Sequence, residues 1–111
     1  MKIHLKDISE MIQYAKKNKE LIFKIINKRI NDNMDTQINQ VLIYEAYLTD
    51  YGVSIENVSF RCEWLYSLNL AIQYFEEVED YESCCEIRDT IKRLKDKNNV
   101  LSLGYDRQGT D

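Results

Sequence analysis

Proline is missing from this chain, and glycine occurs only three times, at Gly52, Gly104 and Gly109. A sheet of many strands needs frequent tight turns, and turns draw heavily on those two residues, so their scarcity points to helices. Histidine occurs once, at His4. A lone imidazole so close to the first residue is a weak general base, and it offers no partner to a cysteine nucleophile without a supporting signature. Three cysteines, Cys62, Cys84 and Cys85, make an odd set with two adjacent members, which is no disulfide framework; reduced, buried and inert thiols in a cytoplasm are the expectation. Adjacent helical cysteines point about 100° apart and share a metal poorly, and a bundle di-metal site lacks its second histidine. Glycine-rich phosphate loops are absent. No continuous apolar run resembles a leader peptide or approaches the ~20 residues of a membrane span. No catalytic residue, cofactor or metal is therefore expected.

What the chain does contain suits a folded, well-solvated domain: 44% apolar and 31% charged residues in a length that corresponds to one domain. Apolar residues recur at spacings of three and four. Ile8, Met11, Ile12 and Ala15 share a face after Asp7, a plausible N-cap, and Leu21, Ile22, Ile25, Ile26 and Ile30 continue the stripe past a break near Lys16–Glu20. Ile38, Val41, Leu42, Ala46 and Leu48 predict a further helix from Asp35 or Thr36 that ends at Gly52. Residues 53–59 are then a connector. Phe60, Trp64, Leu65, Leu68, Ala71, Ile72, Phe75 and Val78 form the strongest amphipathic segment, and Tyr81, Cys84, Cys85, Ile87, Ile91 and Leu94 the last one, with a turn near Glu79-Asp80. The pattern predicts an all-α fold, a small antiparallel bundle of four or five helices ending in a helical hairpin. A single domain would span residues 1–97, with 98–111 as a tail docked in part by Val100, Leu101, Leu103 and Tyr105.

Charge is segregated. Residues 1–34 hold eight lysines and arginines against four acids, residues 35–91 two against twelve, and residues 92–111 five against three. Such a pattern fits either basic helices packed on an acidic centre or an acidic face that attracts a basic partner. Lys16, Lys17, Lys19, Lys24, Lys28 and Arg29 make the first third basic, but the acidic centre and the sequence pI near 5.0 oppose direct binding of nucleic acid.

Asp80-Tyr81-Glu82-Ser83-Cys84-Cys85-Glu86-Ile87-Arg88-Asp89-Thr90-Ile91 resembles the UVR motif, a helical hairpin of the B and C subunits of the bacterial nucleotide-excision repair nuclease and of some protease-associated regulators. The match runs acidic, aromatic, Glu, any residue, two small residues, any residue, aliphatic, Arg, Asp, any residue, aliphatic, with Cys84 and Cys85 as the small pair. Leu68, Ile72 and Phe75 extend it backward, and about a quarter of the chain is covered. The chain departs from the motif at Glu79, where an aliphatic residue is usual, and at Phe75, where a small one is. What the resemblance implies is association between proteins, with a like hairpin or with itself.

The resulting expectation is a non-catalytic interaction module, an adaptor, assembly factor or regulator, that docks on a protein partner through Tyr74, Glu76, Glu77, Asp80, Tyr81, Glu82, Glu86 and Asp89. Acids and tyrosines together supply the charge and anchor groups of an interface. One alternative is an acidic inhibitor of the kind phages encode, which presents carboxylates where a nucleic-acid-binding protein expects phosphates. The other is a homo-oligomeric structural module.

Overall fold

The computed structural model describes residues 1–110, with side chains as far as Lys97. It corrects the all-α expectation: the chain is mixed α/β, a three-stranded sheet with helices, and not a helical bundle. Strand β1 (Lys2–Leu5) leads into helices α1 (Ile8–Lys17) and α2 (Lys19–Asn33). A hairpin of β2 (Gln40–Leu48) and β3 (Val53–Phe60) follows, then a short 3-10 turn, α3 (Trp64–Glu77) and α4 (Tyr81–Thr110). The sheet order is β1-β2-β3, with β1 parallel and β3 antiparallel to β2. A parallel pair needs a crossover, which α1 and α2 provide.

The segment expected as a helix ending at Gly52 is β2 together with its turn. Gly52 has φ +64°, and the Tyr51 and Gly52 N–H groups both donate to the Leu48 carbonyl, at 3.2 and 2.8 Å. The left-handed glycine that was read as a helix stop instead reverses a hairpin. The expected connector 53–59 lies wholly within β3, paired along its length with β2. Ile38, assigned to a helical stripe, is an exposed loop residue before β2.

Asp7 does cap α1, its Oδ1 accepting from the Glu10 N–H at 3.0 Å, and Asn18 separates α1 from α2. Yet Ile8 and Ile12 are exposed; the core begins in α2, with Ile30 and then Met34. Val41, Ile43, Tyr44, Ala46 and Leu48 line the covered face of β2, and Trp64, Leu68, Ala71 and Phe75 of α3 belong to the same buried core. Helix α2 lies against β2 and α3, and α4 lies against α3 and α2, burying Cys84, Ile87, Ile91 and Leu94. The other face of the sheet carries Lys2, His4, Leu42, Glu45, Tyr47, Val58 and Phe60. There His4 packs on Tyr47 at 5.5 Å, and Lys2 pairs with Glu45 at 3.8 Å.

Two attachments fix the hairpin and the loop ahead of β2. The Arg61 guanidinium donates to the carbonyls of Thr36 (2.7 Å), Ile38 (2.9 Å) and Asn33 (3.4 Å) while lying 4.4 Å from the centre of the Trp64 ring. Arg93 and Lys97 of α4 both reach Asp35, whose carboxyl the Lys97 ammonium holds below its usual range. The backbone of α4 continues to Thr110, through the segment expected as a tail. The side chains expected to dock it, Val100, Leu101, Leu103 and Tyr105, lie outside the described residues. Among the described residues no helix is long and apolar enough to cross a membrane.

Candidate functional site

The turn between α3 and α4 is built by main-chain bonds that the composition alone does not announce. The Asp80 N–H donates to the Phe75 carbonyl (2.9 Å) and the Glu79 N–H to the Glu76 carbonyl (3.1 Å), the pair of bonds of a Schellman ending. Its left-handed position is Glu79, at φ 61°, where glycine is usual. Asp80 then caps α4: one carboxylate oxygen accepts from the Ser83 N–H (3.1 Å) and the other from the Ser83 hydroxyl (2.8 Å). These two hydrogen bonds, from hydroxyl and N–H in that order, hold the Asp80 carboxyl below its usual range.

A depressed carboxylate contributes stability that is complete above the unfolded-state pKa and is lost as pH falls through the folded-state value. Stability of the wild-type chain should accordingly decline below about pH 4, in part through Asp80. Asn at this position still caps but does not titrate. Urea unfolding of Asp80→Asn at a series of acidic pH values should show a shallower decline than the wild type; parallel curves would remove Asp80 from the account.

The structure divides the eight residues expected to bind a partner. Tyr74 is not on the surface with the acids: it is half-buried, its ring 5.5 Å from Phe23 and 5.1 Å from Phe75, so it belongs to the packing of α2 on α3. Glu76 pairs across the hairpin with Arg88 at 3.1 Å, and Asp80 serves the cap. Glu86 and Asp89 are exposed but border clefts between α4 and α2, beside Lys24, Asn27, Lys28 and Arg93. Here the basic helix does meet acids, since Lys24, held mainly by Glu20, also feels Asp80 and Glu86.

Glu77, Tyr81 and Glu82 remain, and they share the hairpin tip with Val78 and Glu79, which were not among the eight. Tyr81 is 62% and Val78 52% exposed. Among the described residues Glu77, Glu79 and Glu82 make no ion pair, and no lysine or arginine occurs between Arg61 and Arg88. The tip is therefore a small apolar centre with a carboxylate rim. Val78 is the last member of the apolar stripe expected along this helix; its position one residue past the last turn of α3 is what turns it outward.

Nothing matches the chain in comparisons with protein-family models, with curated proteins and with solved structures. The function has to be read from the site itself.

The thiols divide as well. Cys84 is buried, its Sγ 3.9 Å from the Ile72 carbonyl, and burial raises its pKa, which leaves it protonated and inert. Cys62 and Cys85 are exposed, contrary to the expectation that all three are buried.

Proposed function

We propose that this chain is a non-catalytic docking module of the cytoplasm, which binds a protein partner by inserting the hairpin tip into an apolar pocket rimmed by basic residues. The observation that carries this reading is the exposure of Tyr81 and Val78 beside Glu77, Glu79 and Glu82, which make no ion pair among the described residues. Aromatic anchors in a desolvated centre supply most of the affinity of an interface, and surrounding charges steer approach and exclude wrong partners. The Schellman bonds and the Asp80 cap hold the tip rigid before binding, so little conformational freedom is lost on association. The resemblance of residues 80–91 to the UVR hairpin, itself an association device, supports the same reading. Cys84, the first of its small pair, is buried against α3 as a small hairpin residue would be.

The test separates docking from mimicry of nucleic acid. With the partner isolated on the immobilised chain from cell extract, Tyr81→Ala should weaken binding by roughly 30-fold or more, the equivalent of about 2 kcal/mol for an anchoring tyrosine. Tyr81 pairs with no other aromatic ring among the described residues and is mostly exposed, so the variant should melt close to the wild type. Under mimicry, Tyr81→Ala would bind normally, while reversal of Glu77, Glu79 and Glu82 to lysine would abolish a strongly salt-dependent complex. Full binding by Tyr81→Ala therefore sinks the docking proposal.

A further inference from the structure

We infer that two copies of this chain join edge to edge through β3, antiparallel, so that two three-stranded sheets become one sheet of six strands. β3 lies at the margin of the sheet and is eight residues long. It carries few of the features by which edge strands usually avoid partners: no proline, no lysine, and no bulge of its own, the irregularity at Leu42/Tyr44 being on β2, and Glu56 is its one charged residue. The opposite edge, β1, has only four residues. Among the described residues no element pairs with the outer side of β3.

The hydrogen-bond phase of that edge follows from one contact. The Arg61 N–H donates to the Asn39 carbonyl at 2.7 Å, so position 61 is one whose main-chain groups point at β2. Antiparallel ladders alternate, and Phe60, Val58, Glu56 and Ser54 accordingly turn their N–H and C=O groups outward. Their side chains lie on the sheet face away from the helices, opposite Gln40, Leu42, Glu45 and Tyr47.

Self-pairing that keeps both helical layers on one side of the joint sheet has two central registers. A register centred on Glu56 sets two carboxylates directly across from each other, which is unfavourable. A register centred on Asn57 instead places Glu56 opposite Val58, Ser54 opposite Phe60 and Ile55 opposite Ser59, with no like charges face to face. It also brings the two Asn57 side chains together on the helix side. Asn57 Nδ2 is sealed from solvent with no hydrogen-bond partner among the described residues. Turning each amide about χ2 toward the open edge lets its N–H donate to the Oδ1 of the other copy, relieving an unsatisfied donor in both chains. This self-complementarity is why the occupant is a second copy and not a foreign strand. Such a dimer carries two hairpin tips, which doubles the sites available to a partner.

Sedimentation equilibrium of the purified full chain over about a hundredfold range of concentration should show a reversible dimer. Amide exchange read across the same range should show Glu56, Val58 and Phe60 slowing at least about tenfold as dimer forms, while Ile55, already bonded to β2, does not change. Val58→Pro removes one outward donor at a position where an edge strand tolerates proline, and should weaken association by more than about tenfold. Should that variant fail to fold, Asn57→Asp opposes two carboxylates at the centre of the register and should dissociate the dimer at neutral pH. A monomer throughout, a dimer whose outward β3 amides stay unprotected, a dimer indifferent to Asn57→Asp, or protection of those amides only on adding another protein would each overturn the proposal.

Discussion

Trp64→Ala is expected to lower stability by about 3–5 kcal/mol, the range for emptying a large aromatic from a core. Trp64 is fully buried at the first turn of α3, where the hairpin, α2 and the helix layer meet. Its Nε1–H donates to the Ser59 carbonyl at 3.1 Å, so the substitution opens a cavity and also strands a buried acceptor. For a domain of this size the loss is a large share of a total of roughly 5–15 kcal/mol. Trp64→Phe keeps most of the volume and loses the hydrogen bond, and should fall short of the alanine variant by about 2 kcal/mol or more. Urea unfolding followed by circular dichroism, since the fluorophore is lost, gives both values. A midpoint for Trp64→Ala within error of the wild type would mean that this ring does not hold α3 on the sheet.

That ring matters to the candidate site because the tip is presented by α3 and α4 as a unit. Leu68, Ala71 and Phe75 continue the same buried stripe down α3, and Cys84, Ile87, Ile91 and Leu94 answer it from α4. These two helices were legible in the sequence because each keeps one side in solvent and buries the other, so apolar residues recur every three or four positions. The turn between them was placed correctly but for an incomplete reason. Its acids were visible; the left-handed Glu79 was not, because glycine is the residue that signals such a position.

The sheet was misread for reasons that lie in particular residues. Along β2 the buried positions are Val41, Ile43, Tyr44, Ala46 and Leu48. Alternation holds from 41 to 43 and from 44 to 48, but the bulge between Leu42 and Tyr44 shifts its phase by one. What survives is a subset, Val41, Tyr44 and Leu48, at spacings of three and four, which imitates a helix. β3 hides in the opposite way. Its helix-facing positions include the polar Asn57 and Ser59, while Val58 and Phe60 sit on the uncovered face, so no amphipathic pattern marks it as a strand. β1 is too short for four residues to establish a period.

The candidate site was half legible for a related reason. Composition identifies an acidic, tyrosine-bearing hairpin, but it cannot say which way each side chain turns. Tyr74 and Tyr81 read alike in the sequence, and packing on Phe23 separates them: one becomes core, the other an anchor. Glu76 and Glu77 are neighbours, yet only Glu76 reaches Arg88.

Arg61→Ala is expected to lower stability by about 2–3 kcal/mol. Three carbonyls, at Asn33, Thr36 and Ile38, accept from one guanidinium, and hydrogen bonds with a charged partner are worth about 1.5–3 kcal/mol when buried, less here where solvent reaches them. The Asn33 carbonyl belongs to the end of α2, and the other two to the loop that leads into β2; the Arg61 N–H meanwhile closes the ladder at Asn39. One side chain thus ties the crossover to the sheet at the place where both strands of the hairpin end. Lysine keeps the charge but replaces a planar fork by a single point, so Arg61→Lys should recover less than half of the loss. Stacking on Trp64 couples the two residues, and a double-mutant cycle of Arg61→Ala with Trp64→Phe should return about 0.5–1 kcal/mol of interaction. Exchange protection of the residue-61 amide, which donates to the Asn39 carbonyl, should fall in Arg61→Ala while the α3–α4 core amides retain theirs. Uniform loss of protection would show instead that the clamp and the helical layer unfold as one unit, and that the tip cannot be presented without the hairpin beneath it.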